Sequence, residues 1–342
     1  MAKSATLKDI AKALNVSVTT VSRALNDKDD ISRETKNAVI EVAKMIGYKP
    51  NYWARQLSSD SVTNIIGVVL PRIDHYFYSS ILEGVMNSVE DHSHYVLIGE
   101  SQDDAEKEAE VVGRFTELKI CGLILAPAIN SSVDDVVSFL QKRSIDVVVL
   151  DRVTPQTKCS HIINDDFNAA KASVRHLFDQ GYRRIAHIRG PKACLVAEQR
   201  EQGYKKGIEE CFGTFDEKKV KTCSVVNIDE GYQLMKELYD QKEPPDAVFC
   251  VSDEAALGVY KFARERGINI PNDLGIVGFS NSLISQQLDP DMSTIDQFSK
   301  RMGTQAARII IDQLPGRTIV KEMYESQLII RKSSQPTKNG NE

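Results

Sequence analysis

Residues 6–26, TLKDIAKALNVSVTTVSRALN, carry two apolar stripes at helical spacing with a short polar break between them. In the first stripe Leu7, Ile10, Ala11 and Leu14 share one face. Thr6 is the expected N-cap, and Asp9 three residues on supplies a capping-box start. Asn15-Val16-Ser17 interrupts the run, and Ser17 caps a second helix that buries Val18 or Val21 with Leu25. Two short helices joined by so tight a turn predict a helix-turn-helix.

The second helix of such a pair lies in the DNA major groove with its N-terminal residues against base edges. Those residues here are Val18, Thr19, Thr20, Ser22 and Arg23. Hydroxyls bond phosphates or bases, Val18 meets a thymine methyl, and Arg23 spans two guanine acceptors, worth roughly 1–3 kcal/mol of discrimination. A third helix is predicted from Ser32 to Ile46, with Val39, Val42, Ala43 and Ile46 apolar and Gly47 as its stop. The acidic loop Asp27–Asp30 reads as a solvated turn. After GYKP, the stretch Asn51–Ser58 spans barely two helical turns, too short to be stable alone.

From residue 65 the pattern changes. Apolar strands (IIGVVL, YVLIGE, GLILAP, DVVVLD, RIAHIRG, AVFCVS, LGIVGFS) alternate with helices over Tyr78–His92, Asp104–Leu118, Val133–Lys142, Asn168–Gln180, Glu230–Tyr239 and Asp253–Arg266. That alternation predicts parallel sheets covered on both faces, and its length predicts two α/β lobes. Ligands of such folds bind beyond the carboxyl ends of the strands, and two lobes leave a cleft between them.

Composition fits this division. The chain has 342 residues, 42% hydrophobic and 27% charged, with a net charge of −5. Residues 1–60 balance to +3 and the remainder to −8, which suits a DNA-contacting head on an acidic body. No stretch approaches a membrane span, and MAKSATLKDIAKAL lacks an export h-region, so a cytoplasmic location is expected. The six cysteines show no C-x-x-C pair and read as reduced, buried thiols. The histidines have no ligand spacing beyond His92/His94 in a predicted surface turn. No nucleotide-binding glycine motif, zinc-protease motif or nucleophile elbow is present, so no enzyme, metal or cofactor is expected.

The string TLKDIAKALNVSVTTVSRALN, then ISRETKNAVIEVAKMIGYKPN, ARQLSS and IIGVVLP, closely resembles the head of the LacI/GalR family of bacterial repressors. INDDFNAAKASVRHLFDQGYRRIAHIRGP, REQGYKKGIEE, SDEAALGVYKFARERGINIPNDLGIVGFSN and LDPDMSTIDQ are similar to the family's effector domain. The resemblance covers about residues 5–332. It implies an all-α helix-turn-helix DNA-binding head (1–50), a hinge helix and linker (51–63), and an α/β periplasmic-binding-protein-like effector domain (64–332). That domain would consist of two parallel-sheet lobes, about 64–164 plus 293–323 and 165–292 plus 324–332, joined by three crossovers. The polar tail 333–342 is expected to be disordered.

The resemblance also implies partners and site residues. A homodimer would bind double-stranded palindromic operator DNA, with a small-molecule effector, a sugar or sugar derivative, in the cleft. Thr6, Ser17 and Asn26 would join the DNA contacts of the second helix. In the hinge Asn51, Ala54 and Arg55 would flank Leu57, an apolar wedge in the central minor groove. The effector residues would be Phe77, Tyr78, Asp151, Arg200, Asp253, Ser280 and Asn281. Aromatics offer a stacking face, carboxylates accept from hydroxyls, and Arg200 donates in a fixed fork. Two departures stand out: Ser252 where the family usually has Asn, and Ser280 where it usually has Asp. Losing a carboxylate at Ser280 predicts a pocket around Arg200 more tolerant of an acidic or phosphorylated ligand. A transport receptor lacks any use for the head, whereas a phosphoprotein co-regulator is an alternative within the family.

Overall fold

A computed structural model of the chain describes residues 5–25, 27–48, 63–90, 94–154, 156–312 and 318–337. Its contacts divide the chain into two units, Met1–Val62 and Thr63–Glu342.

In the first unit, helices α1 (Leu7–Leu14), α2 (Val18–Leu25) and α3 (Arg33–Met45) enclose Ile10, Val21 and Val39, with Ala11, Ala24 and Ala43 where the helices approach. Asp9 accepts from both the backbone N–H and the hydroxyl of Thr6, at 2.8 and 2.7 Å. Ser17 Oγ accepts from Thr20 N at 3.0 Å, capping α2. Val21, fully buried, is the valine of the core, while Val18 is 40% exposed. Ile46, expected on the apolar face of α3, is instead 39% exposed, because the backbone leaves the helix there and turns at Gly47 (φ +66°). The acidic loop is not simply solvated: Asp27 pairs with Lys36 at 2.7 Å and Asp30 with Arg23.

The second unit contains two parallel sheets. The strands of the larger are β1 (Ile65–Leu70), β2 (Tyr95–Glu100), β3 (Gly122–Leu125), β4 (Asp146–Leu150), β5 (Ser160–Asn164) and β11 (Lys321–Tyr324), ordered β11-β5-β4-β3-β1-β2. The smaller has β6 (Ile185–Arg189), β7 (Val220–Thr222), β8 (Ala247–Cys250) and β9 (Gly275–Val277), ordered β7-β6-β8-β9. A third, two-stranded sheet pairs β10 (Thr294–Asp296) antiparallel with β12 (Gln327–Ile329).

Helices cover both faces of each large sheet. In lobe 1, Ile66, Val68 and Leu70 of β1 pack with α4 (Tyr76–Val89) and α11 (Ser299–Ile311). Their alternate neighbours Ile65 and Val69 pack with α5 (Ala105–Glu117) and α6 (Val133–Gln141). In lobe 2, Val248 and Cys250 of β8 face α9 (Ile228–Tyr239) and α10 (Asp253–Arg266). Ala247 and Phe249 face α7 (Asp166–Asp179) and α8 (Leu195–Phe212). Strands buried on both faces are why the sequence shows continuous apolar runs.

The chain passes between the lobes three times: after β5, after β10, and between β11 and β12. Asn164 Nδ2 donates to the Gln297 carbonyl at 3.0 Å, and Asp165 N to the Tyr324 carbonyl at 3.0 Å, so the crossovers are cross-tied. The tail begins later than expected. Ser333 and Ser334 are fully buried, Ser333 Oγ donates to the Ile276 carbonyl at 2.7 Å, and Thr337 N bonds Asn272. Residues 333–337 thus belong to lobe 2.

Candidate functional site

In the head, the buried Val21 and Ala24 set the orientation of α2 and turn Val18, Thr19 and Arg23 outward. Thr20 and Ser22 are half-buried beside them. The Ser17 and Thr20 hydroxyls also bond each other, at 2.8 Å, and Thr6 is exposed at the start of α1. The face of α2 opposite the core is thus a small apolar, hydroxyl and guanidinium patch. Asn26, Asn51, Ala54, Arg55 and Leu57 lie outside the described residues.

In the second unit a cavity of about 220 Å³ lies between the lobes. Its wall comes from the carboxyl ends of strands in both sheets. The β1–α4 loop gives Arg72, His75, Phe77 and Tyr78, and the loop after β4 gives Asp151 and Arg152. Lobe 2 gives Val196, Ala197 and Arg200 of α8, Val225 and Val226 after β7, and Ser280 after β9. This is where an open α/β sheet exposes loops around a ligand.

Three arginines face this space, and each has a carboxylate. Arg200, buried, donates from Nε to Asp166 Oδ1 at 2.7 Å and from Nη1 to the Val251 carbonyl at 2.7 Å, and its guanidinium lies 3.6 Å over the Phe279 ring. Burial pushes the Asp166 carboxyl up to about 6 although Arg200 pulls it down. Arg152 bonds Asp103 and the Pro127 carbonyl, and its Nε, 3.8 Å from Asp151, has no hydrogen-bond partner. Arg72 forks onto Asp74 at 2.9 and 3.0 Å and reaches across the cleft to the Val226 carbonyl at 3.2 Å.

Tyr78 donates its hydroxyl to Asp151 Oδ2 at 3.2 Å. Asp151 occupies the left-handed region (φ +68°), and burial raises its carboxyl above the usual range. His75 Nε2 stands 3.9 Å from Glu254 of the opposite lobe, while Nδ1 is buried without a partner. Burial, with Arg72, Arg152 and Arg200 nearby, pushes His75 down to about 4, so its ring is neutral at pH 7. His75 and Arg152 thus belong to the wall as a neutral imidazole and a paired guanidinium, with His75 Nδ1 and Arg152 Nε buried rather than open to the cavity.

Of the effector residues expected from sequence, Phe77, Tyr78, Asp151, Arg200 and Ser280 line this cavity. Phe77 is also lobe 1 core, and Ser280 Oγ donates to Gln297 Oε1 at 3.1 Å. Asp253 and Asn281 stand outside the wall. Asp253 accepts from Thr294 Oγ1 at 2.6 Å and Ser282 N at 2.7 Å, and Asn281 bonds Asp296 and Arg331. Both secure the loop after β9 to the neighbouring crossover. Sequence reasoning passed over Arg72, His75, Val226 and Gln297. Their only signal is position, a few residues past a strand end.

Among the described residues, no His/Cys/Asp/Glu group could hold a metal ion, and no helix is long and apolar enough to cross a membrane. Residues 6–51 match the profile "Bacterial regulatory proteins, lacI family", and residues 174–334 match "Periplasmic binding protein-like domain". The HTH-type transcriptional repressor CytR of Escherichia coli (strain K12) is 31% identical over 96% of each chain. A transcriptional regulator CelR–cellobiose complex shares 26% identity, with a TM-score of 0.72 over 96% of this chain and 99% of that one. A lac repressor dimer bound to operator and the anti-inducer ONPF shares 22% identity and a TM-score of 0.83, over 97% and 99%. These relatives are regulators, not enzymes. With a repressor 31% identical along nearly its whole length, and the lacI profile on its helix-turn-helix, the chain belongs to the lacI family of bacterial regulatory proteins.

Proposed function

We propose that the protein is a cytoplasmic transcription repressor that binds a palindromic operator as a homodimer and responds to a neutral sugar or sugar derivative in the interlobe cavity. The observation that carries the effector reading is charge pairing in the wall. Arg72, Arg152 and Arg200 each have a carboxylate at hydrogen-bond distance, and Asp151 adds a fourth acid. A phosphate would enter a site with no surplus positive charge, which favours a neutral ligand over the acidic one expected from Ser280. A polyhydroxylated ring suits the mixture of Val225, Val226 and Tyr78 with the polar side chains of Arg72, Gln102 and Gln297 in the same wall. The CelR relative carries cellobiose, which supports the same class.

Dimerisation is supported by the lac repressor dimer and by apolar side chains left exposed, Leu283 and Met323 the most open of those in the second unit. The outward face of α2 supports operator reading. Leu57, by family resemblance, wedges the central minor groove; Leu57→Ser is expected to weaken operator binding and spare effector binding. The effector test is a thermal-shift panel of neutral mono- and disaccharides beside their phosphate esters. Stabilisation by a neutral member that also changes DNA affinity is expected. Stabilisation by phosphate esters alone would overturn the neutral-ligand reading.

A further inference from the structure

Arg23 is not a free arginine on the outer face of α2. Its Nε donates to Asp30 Oδ2 at 2.8 Å and its Nη2 to Oδ1 at 2.7 Å, a two-pronged pair. A guanidinium has two edges able to grip a planar pair of acceptors: the side edge, Nε with Nη2, and the end edge, Nη1 with Nη2. Asp30 takes the side edge. The end edge, with matched spacing for the O6 and N7 acceptors of guanine, is not the edge that Asp30 occupies.

The loop that carries Asp30 is itself fixed. Lys28 N donates to the Arg23 carbonyl at 3.1 Å, Ile31 N to the Lys28 carbonyl at 3.3 Å, Asp27 pairs with Lys36, and Ile31 packs on the head core. We infer that Asp30 is a positioning residue for operator selectivity, holding Arg23 by its side edge so that the end edge reads a guanine. This rests on the operator-binding reading above. An aspartate beside a DNA backbone also repels phosphate, so Asp30 opposes indiscriminate binding while it sharpens the specific contact. The two effects carry opposite signs for its removal, which separates positioning from simple electrostatics.

The test uses the full chain and a pool of randomised duplexes. If the unaltered protein enriches no sequence, the operator reading itself fails, and the inference with it. Given an enriched palindrome, Arg23→Ala is expected to erase the preference at one G·C pair per half-site. Asp30→Ala is expected to lower the preference at that same pair roughly tenfold while binding random duplex more tightly. Asp30→Asn, which retains the shape and an acceptor, should fall between. The Arg23→Ala/Asp30→Ala protein should discriminate no worse than Arg23→Ala alone, since both act through one contact. Three results would overturn the inference: tighter binding to all duplexes with an unchanged preference profile, an equal loss at every position, or strict additivity of the two substitutions.

Discussion

Arg200 shows how one residue can serve a cavity and a core together. Its guanidinium bonds buried Asp166 and the Val251 carbonyl and covers Phe279, so it is a strut of lobe 2 as well as part of the wall. Removing one partner of a buried pair strands the other charge, at a cost of about 3–5 kcal/mol. Arg200→Ala is therefore expected to lower the urea midpoint of the effector domain markedly as well as to abolish ligand response. A ligand-only defect with unchanged stability would contradict this. Acid behaviour is set by other single residues. His187 is stacked between Phe249 and Tyr204, 4.8 and 5.0 Å away, and burial pushes it down to about 3; His75 is pushed down to about 4. Both titrate higher when unfolded, near 6.5. Their contribution is therefore present above that value and is lost as pH falls towards 4. Asp166, raised to about 6, runs the other way, its contribution fading as pH rises to 6. The two histidines therefore pull the urea midpoint down between pH 6.5 and 4, against Asp166 and the other carboxyls that burial raises, Glu108, Asp151, Asp253 and Glu254. His187→Gln should flatten that drop; an equally steep profile would show that His187 is not its source.

Helix pairs fix the spacing of the layers. On α4 and α11, a side chain at Gly84 would collide with the backbone of Lys300, and one at Gly303 with the backbone of Ile81. Backbone cannot swing aside as a side chain does, so Gly303→Ala should cost about 1–3 kcal/mol as the two helices are forced apart, measured by chemical denaturation. In the head, Ser17→Ala should cost about 1 kcal/mol by uncapping α2. Most elements could be read in the sequence because their burial left a period. All seven strands expected from apolar runs are present, since β1, β3 and β8 are buried on both faces. The strands β5, β7, β10, β11 and β12 were not legible. In β5, though it is buried, Ser160, His161 and Asn164 leave only Ile162 and Ile163 apolar. The other four are three or four residues long, and β7 and β11 are partly solvated, so neither length nor alternation marks them. Helices α8 and α11 escaped as well. α8 buries Val196, Ala197, Arg200, Gly203, Tyr204, Gly207 and Ile208, a face built on glycines and an arginine that hydrophobicity does not register. The same cause hid half the cavity: Arg72, His75 and Gln297 are polar loop residues whose meaning comes only from two sheets converging.

At the scale of the effector domain, the lobes touch beyond the crossovers, with Ile129 packed on Cys194, Val196 and Ala197 and with polar contacts beside it. Arg72 reaches the Val226 carbonyl and His75 approaches Glu254, both from the β1–α4 loop. These contacts form only when the lobes are together, so they would add to a ligand's hold on the two lobes if, as proposed, an effector binds between them. Arg72→Ala should weaken effector binding by roughly 1 kcal/mol, the scale of an ordinary coupling energy, while DNA affinity without effector stays unchanged. Calorimetry with a neutral sugar identified by thermal shift, beside DNA titration, checks both halves; an effector affinity equal to that of the unaltered protein would remove Arg72 from the closure.

The crossovers have a further consequence, for synthesis on the ribosome. Lobe 1 opens at β1 but is finished by α11 and β11, which are translated only after the sheet and flanking helices of lobe 2. A growing chain can therefore complete the four-stranded sheet and helices α7 to α10 while the apolar face of β1, β3 and β4 still waits for Met302, Ala306 and Ile310. The first lobe to emerge thus waits across the longest stretch of chain for its covering helix. Its uncovered sheet face is the surface that a nascent-chain chaperone would meet, and a chain ended before residue 299 should leave lobe 1 protease-sensitive.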